Sequence, residues 1–269
     1  MCQTSADPST LSEVSKEIAE LINHVRLSSF CQVLADKLFN FCRYDEIRIL
    51  VFANGESPTQ IYPQGAATQS SLQERYLDTE YLLDPRLADG NAAPNLCRYF
   101  DLLTGQPSDQ MFHQRYYSFL SFVDEVVLRF AVDSDMTMVI SLGRRSAKGD
   151  VSRQEMGLLQ GIYPTLEALI QQFWFSQRDN YPLRKPSSSP LEFAIDSFGN
   201  GILTRREREV ATLILKGMSS KGIARTLNIS VDTVKVHRKN MHARLRTSTQ
   251  SDLFLAFLSH LDGLITRAA

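Results

Sequence analysis

The chain of 269 residues has little of what would tie it to a metal, an oxidising compartment or a lipid bilayer. Its four cysteines, Cys2, Cys31, Cys42 and Cys97, are scattered, without the CxxC or Cys/His spacing of a zinc site. Reduced, structural thiols are therefore expected, and no metal or cofactor. Its five histidines form no constellation, and GxSxG, P-loop and HExxH patterns are absent. Catalysis is not expected. No apolar run approaches the roughly 20 residues of a membrane-spanning helix. The start, "MCQTSADPSTLSEVSKEI", has neither a basic n-region nor an apolar h-region, so no secretory signal and no membrane partner are expected. Tryptophan occurs once, at Trp174.

What is present is the composition of a soluble globular protein, 43% hydrophobic and 22% charged. The net charge of −1 conceals an asymmetry. Residues 201–269 hold 12 Lys and Arg against 5 Asp and Glu, whereas residues 1–200 hold 17 against 25. The basic end is where a polyanion would bind. Between the two regions runs "RDNYPLRKPSSSPLEFAIDSFGNGILT", rich in Pro, Ser and Gly and without a sustained apolar period. It reads as a linker over 178–200, separating a domain at 1–177 from one at 201–269.

The first region alternates helical and strand patterns. Leu11, Val14, Ile18, Leu21, Ile22 and Val25 recur at helical spacing, as do Phe30, Val33, Leu34, Leu38 and Phe41. "EIRILVFA" (46–53) is β-rich, Gly55 and Pro58 mark a turn, and "TQIY" follows as a strand. Residues 69–83 read as helical. "DEVVLRFAV" and "MTMVISLG" read as a hairpin joined through "DSD". Ser152 with Glu155 forms a capping box for a helix reaching about Phe175 through Pro164. The pattern predicts an α+β domain, a sheet flanked by helices.

The second region is all helical. Thr204 caps a first helix with Glu207 at the third position, Val210, Leu213 and Ile214 line its apolar face, and Gly217 ends it. Ser219 or Ser220 caps the next helix, whose Ile223, Ala224 and Leu227 face inward. "NIS" makes a tight turn, and Ser230 caps a third helix, "VDTVKVHRKNMHARL". Two short helices joined by such a turn form a helix-turn-helix. At 100° per residue Val234, Met241 and Leu245 fall on one side of the third helix. Lys235 and Lys239 fall on the other, flanked by Asp232, Val236, His242 and Ala243. An apolar stripe to dock the helix and a thin polar face to reach base edges are what a recognition helix needs. Lysine donates to guanine O6 and N7, and Val236 offers apolar contact to a thymine methyl. Arg238 and Asn240 lie on the flanks, placed for phosphates. Thr233, His242 and Lys221 complete the expected DNA-contact set. His237 falls beside the docking stripe and is expected to pack within the bundle.

Residues 203–261 resemble the LuxR/NarL-type helix-turn-helix domain, in the pattern "LTxREREV…G…S…IAxxLxIS…TVKxHxxNMxxRL". The resemblance implies a four-helix domain that binds double-stranded promoter DNA as a homodimer. It implies base contacts from Lys235, Val236 and Lys239, scaffold roles for Glu207 and Gly217, and a dimer surface on the last helix, about Thr249 to Leu261. Gly222 departs from the family's usual Glu, which weakens the second helix by roughly 1 kcal/mol relative to a good helix former. Ala211 occupies a usual Leu position. RNA polymerase is a further candidate partner, and a cytoplasmic, nucleoid-associated location follows. A receiver domain would open with a short strand ending in acidic residues, but this chain opens with a long helix. A sigma factor would carry a basic, aromatic region upstream, where this chain is acidic.

Upstream, "YLLDP" (81–85), "RYYSFLSFVDEVVLRF" (115–130) and "ISLGR" (140–144) resemble the GAF- or PAS-like sensor halves of LuxR-type regulators. The resemblance implies binding of a small-molecule effector. Tyr76, Tyr81, Phe100, Tyr116, Tyr117 and Phe119 could line an apolar pocket, with Asp124 orienting the ligand. "RYLDTEYLLDPRL" (75–87) also loosely resembles the Asp-Pro segment of acyl-homoserine-lactone receptors, without their pocket tryptophans. Asp84-Pro85 equally suits a helix cap followed by a first-turn proline. Two alternatives stay open: a lactone-responsive quorum-sensing receptor, and an effector-independent regulator controlled by a protein partner.

Overall fold

The computed structural model describes residues 8–53, 56–64, 70–87, 94–183 and 190–268. Cys2, the Gly55 turn and the Ser triplet at 187–189 lie outside the described residues. The helices are α1 (Pro8–His24), α2 (Phe30–Phe41), α3 (Ser71–Asp78), α4 (Pro107–Arg115), α5 (Arg153–Gln177), α6 (Pro190–Ser197), α7 (Arg205–Leu215), α8 (Ser220–Leu227), α9 (Val231–Leu245) and α10 (Gln250–Ala268). The strands are β1 (Glu46–Ala53), β2 (Thr59–Tyr62), β3 (Leu96–Arg98), β4 (Asp124–Asp133) and β5 (Met136–Arg144). They form one antiparallel sheet in the order β2-β1-β5-β4-β3. Where residues 69–83 read as one helix, α3 stops at Asp78 and a 3-10 turn covers Glu80–Leu83. Asp84 then accepts a 2.9 Å hydrogen bond from the Arg86 N–H at the start of a second turn, Pro85–Leu87.

The chain divides into two compact units. The first comprises Met1–Leu77, Ala93–Leu102 and Ser118–Lys185, and the second Asp78–Ala92, Leu103–Tyr117 and Pro186–Ala269. In the first, alternate residues of three strands supply one apolar face: Ile47, Ile49 and Val51, Val126, Leu128 and Phe130, Met138, Ile140 and Leu142. Phe30, Leu34 and Leu38 of α2 and Leu159, Leu166, Ile170 and Phe173 of α5 belong to the same cluster. Each such side chain contributes about 1.5–3 kcal/mol by leaving water. Phe30 and Phe173 stack at 4.8 Å between ring centroids. Ser152 caps α5 as its spacing with Glu155 requires, and the helix runs on through Pro164. Arg144, buried at the end of β5, pairs with Glu155 and donates to the Asp150 carbonyl at 3.0 Å, pinning the helix start to the sheet.

Part of the sheet's other face is polar and also buried. Glu125, Val127 and Arg129 of β4 alternate with the core residues and are 0%, 0% and 5% exposed. Ser141, opposite Val127 on β5, is buried as well. The Tyr99–Leu102 turn packs against β4.

In the second unit, α6 occupies part of the stretch whose composition suggests a linker. Its Phe193, Ala194 and Ser197, with Phe198 beyond it, are buried. Phe198 meets Phe257 of α10 edge-on at 5.6 Å, and Ser197 Oγ bonds His260 Nε2 at 2.9 Å. No helix among the described residues is long and apolar enough to cross a membrane, and no cluster of three His, Cys, Asp or Glu is placed to hold a metal.

Candidate nucleic-acid interface

The scaffold of the basic region is set by caps only a few residues apart in sequence. The Glu207 N–H donates to Thr204 Oγ1 at 3.4 Å, and Glu207 Oε2 accepts from the Thr204 N–H at 2.8 Å. Glu207 is buried and also pairs with Arg244 Nε at 3.2 Å, tying the start of α7 to the end of α9. These hydrogen bonds and the Arg244 guanidinium hold its carboxyl below the usual range although burial opposes them. At the end of α7 Gly217 takes φ +81°, and the Gly217 and Met218 N–H groups reach back to the carbonyls of Ile214 and Leu213. That double bond is a Schellman close, and a left-handed residue suits it. Ser219, rather than Ser220, caps α8 by accepting from the Gly222 N–H.

The turn into α9 is three residues, Asn228, Ile229 and Ser230. Asn228 sits at φ +53°, a region asparagine tolerates, and Ser230 accepts from the Thr233 N–H at 3.0 Å. Val234 and Met241 are fully buried and Leu245 half-buried, so the apolar stripe docks α9 on its neighbours. His237 is half-buried beside it and favours the ionised form of Glu207.

The opposite side of α9 is open. Thr233, Lys235, Val236, Lys239 and Asn240 are exposed, Val236 by 56% despite its apolar side chain. Lys235 Nζ lies 2.9 Å from Asp232 Oδ1. Two other expected contacts are already engaged within the scaffold. Arg238 donates to Ser220 Oγ at 3.1 Å, and His242 Nδ1 bonds Thr247 Oγ1 at 2.8 Å. Partial burial, and then the Arg238 charge, lower the His242 pKa, so its ring stays neutral. Lys221 is exposed in the first turn of α8. Lys235, Val236 and Lys239 therefore share one accessible face, while Arg238 and His242 serve first to fix it.

The residues expected around an effector fall in both units. Tyr76, Phe100 and Asp124 belong to the first, and Tyr81, Tyr116 and Tyr117 to the second. The four tyrosines are buried, whereas Phe100 and Phe119, expected to line the pocket, are 44% and 64% exposed. The Asp124 carboxylate pairs with Arg98 at 3.2 Å and accepts from the Val151 N–H at 2.8 Å, a scaffold position. Glu125, Arg129 and Ser141, buried polar members of the sheet's second face, were not singled out by the sequence. Their signal was available: charges at alternate positions of an otherwise apolar strand. Cys31, Cys42 and Cys97 are buried, and burial pushes their thiols up to about 12, about 11 and about 11, far from a reactive thiolate.

Residues 201–257 match the family model described as "Bacterial regulatory proteins, luxR family". A putative HTH-type transcriptional regulator of Aeromonas salmonicida is 35% identical over 159 residues, which are 57% of this chain and 81% of that protein. The nitrate/nitrite response regulator protein NarP of Escherichia coli is 36% identical over 84 residues, and the chain spans 37% of its length. Among solved structures, the LBD domain of VqsR from Pseudomonas aeruginosa matches 60% of this chain and 96% of its own. The TM-score there is 0.51 at 21% identity, a likeness of fold.

Proposed function

Given that the chain belongs to the luxR family of bacterial regulatory proteins, with a DNA-binding helix-turn-helix at 201–257, we propose that it regulates transcription as a homodimer on an inverted repeat. In this reading α9 enters the major groove. Lys235, Val236 and Lys239 read base edges, while Arg238, Asn240, Thr233, His242 and Lys221 hold phosphates or the scaffold behind them. Half-sites lie about one helical turn, roughly 10 bp, apart. The division of α9 carries this reading: fully buried Val234 and Met241 on one side, exposed Lys235, Val236 and Lys239 on the other. The basic balance of the same region supplies the electrostatic attraction. The protein acts in the cytoplasm at the nucleoid, meets RNA polymerase at the promoter, and catalyses no reaction.

A small molecule held in the sensor half tunes DNA affinity by favouring one dimer arrangement. Support comes from the first unit, where Glu125, Arg129 and Ser141 are buried on the sheet's second face and Tyr76 is buried in the same unit. Residues 1–177 form this sensor half, 178–200 join it to the DNA-binding half, and 201–269 form the latter.

The test is fluorescence anisotropy with DNA recovered by selection on the full chain. Lys239→Ala is expected to weaken binding to the selected duplex about 5- to 150-fold while unrelated duplexes change far less. Equal affinity of wild type and variant for the selected duplex would contradict the assignment of the face. For the effector half, a thermal-shift screen of small metabolites is expected to give at least one compound that raises the melting temperature and alters DNA affinity.

A further inference from the structure

One residue on the exposed side of α9 has the wrong charge for a polyanion. Asp232 is the only acid in the helix, and its side chain is 87% exposed. Two other acids of the C-terminal region, Glu207 and Asp252, hold helix caps, and Glu209 pairs with Arg205 and Arg206 along α7. Asp232 bonds Lys235, one turn further along the same face, at 2.9 Å. An exposed ion pair of this kind stabilises a fold little. Beside a row of phosphates a carboxylate opposes binding. The helix N-terminus favours an acid in this turn, but not its pairing with a lysine of the exposed face.

We propose that Asp232 and Lys235 act as one unit that reads a single G·C base pair in each half-site. This deepens the recognition-helix reading and rests on it. In the major groove guanine presents two acceptors, N7 and O6, and cytosine beside them presents the N4 amino donor. The couple offers the complement, an ammonium with three donors and, 2.9 Å away, a carboxylate that only accepts. The ammonium bridges N7 and O6 while the carboxylate takes the N4 proton. At an A·T pair the ammonium meets a single purine acceptor, and a carboxylate on the adenine amino group abuts thymine O4, where two acceptors repel. Asp232 thus rejects wrong pairs more than it strengthens the right one. The Lys235 hydrogen bond holds the Asp232 carboxyl below its ordinary range, so it is ionised wherever the protein meets DNA. The helix N-terminus favours a carboxylate in this first turn.

The test uses the full chain, a duplex selected by the wild type, and variants of that duplex with each base pair exchanged in turn. At one pair per half-site the wild type is expected to prefer G·C over A·T by about 10- to 100-fold. Asp232→Ala is expected to bind mismatched duplexes at least as tightly as the wild type does, with that preference reduced below about threefold while preferences elsewhere persist. Lys235→Ala and the double variant lose the preference at the same pair, with no further loss in the double. An unchanged G·C preference in Asp232→Ala, or selected half-sites without such a pair, overturns the proposal. Lys239→Ala separates the two levels. If it weakens selected binding while Asp232→Ala changes nothing, only the paired-reader assignment falls. If Lys239→Ala is silent too, the recognition face falls with it.

Discussion

Helix α9 and strand β4 both divide their residues between an apolar side and a polar one, but they treat the polar side oppositely. In α9 the apolar side is buried and Lys235, Val236 and Lys239 stand in solvent. In β4 the apolar side is buried and so are Glu125 and Arg129. A polar face left in water suits a partner that arrives from solvent, large and charged. A polar face kept from water costs free energy unless each group is satisfied, so it belongs to internal structure or to a small ligand that becomes internal.

The two elements differ most in what their apolar residues do. Leu128→Ala on β4 is expected to cost about 2–5 kcal/mol, read as a lower denaturation midpoint in the fluorescence of Trp174, the sole tryptophan, buried in the same unit. Val236→Ala on α9 is expected to leave stability within about 0.5 kcal/mol yet weaken selected DNA binding. A stability loss at Val236 as large as that at Leu128 would remove the distinction.

A smaller effect separates the helical unit from the sheet by pH. Burial lowers the His260 pKa from 6.5 to about 4. An unfolded chain therefore binds this proton more readily than the folded one, and stability is lost as pH falls through the window from 6.5 to about 4. The contribution is about 2–3 kcal/mol. His260→Gln is expected to flatten that part of the profile of helix unfolding, and an unchanged profile would show that His260 is not its source.

Local chemistry decides how much of this was legible. The helices α7, α8 and α9 follow from caps and turns spanning three or four residues, so Thr204, Ser219 and Ser230 announce them without tertiary information. The β4–β5 hairpin is equally local. What was not legible depends on distant segments. The alternating charges of β4, Glu125 and Arg129, are visible in the sequence, but their burial is not. Helix α6 hid in a Pro- and Ser-rich stretch because Phe193, Ala194 and Phe198 form too short a stripe to outweigh that composition. The engagement of Arg238 by Ser220 was likewise out of reach, since it needs the distance between helices, whereas His242 meets Thr247 across the turn that ends α9.

The smallest expected effect concerns the intrinsic helix propensity of α8. Gly222 follows a capped helix start, and a Cβ there would meet Met218 Cε at 3.4 Å, an ordinary contact. Gly222→Ala keeps the N–H that Ser219 accepts and is expected to stabilise the helical unit by about 0.5–1 kcal/mol. A lower melting temperature would mean that the glycine meets a packing need.

The most direct measurement is the base preference of the full chain at every position of its selected half-site, determined in parallel for wild type and Lys239→Ala. The expected result is an inverted repeat with half-sites about 10 bp apart, in which the variant loses preference at one or two positions per half-site and about 1–3 kcal/mol of selected binding. Identical preferences and identical affinity in the two proteins would contradict the assignment of α9 as the surface that reads DNA.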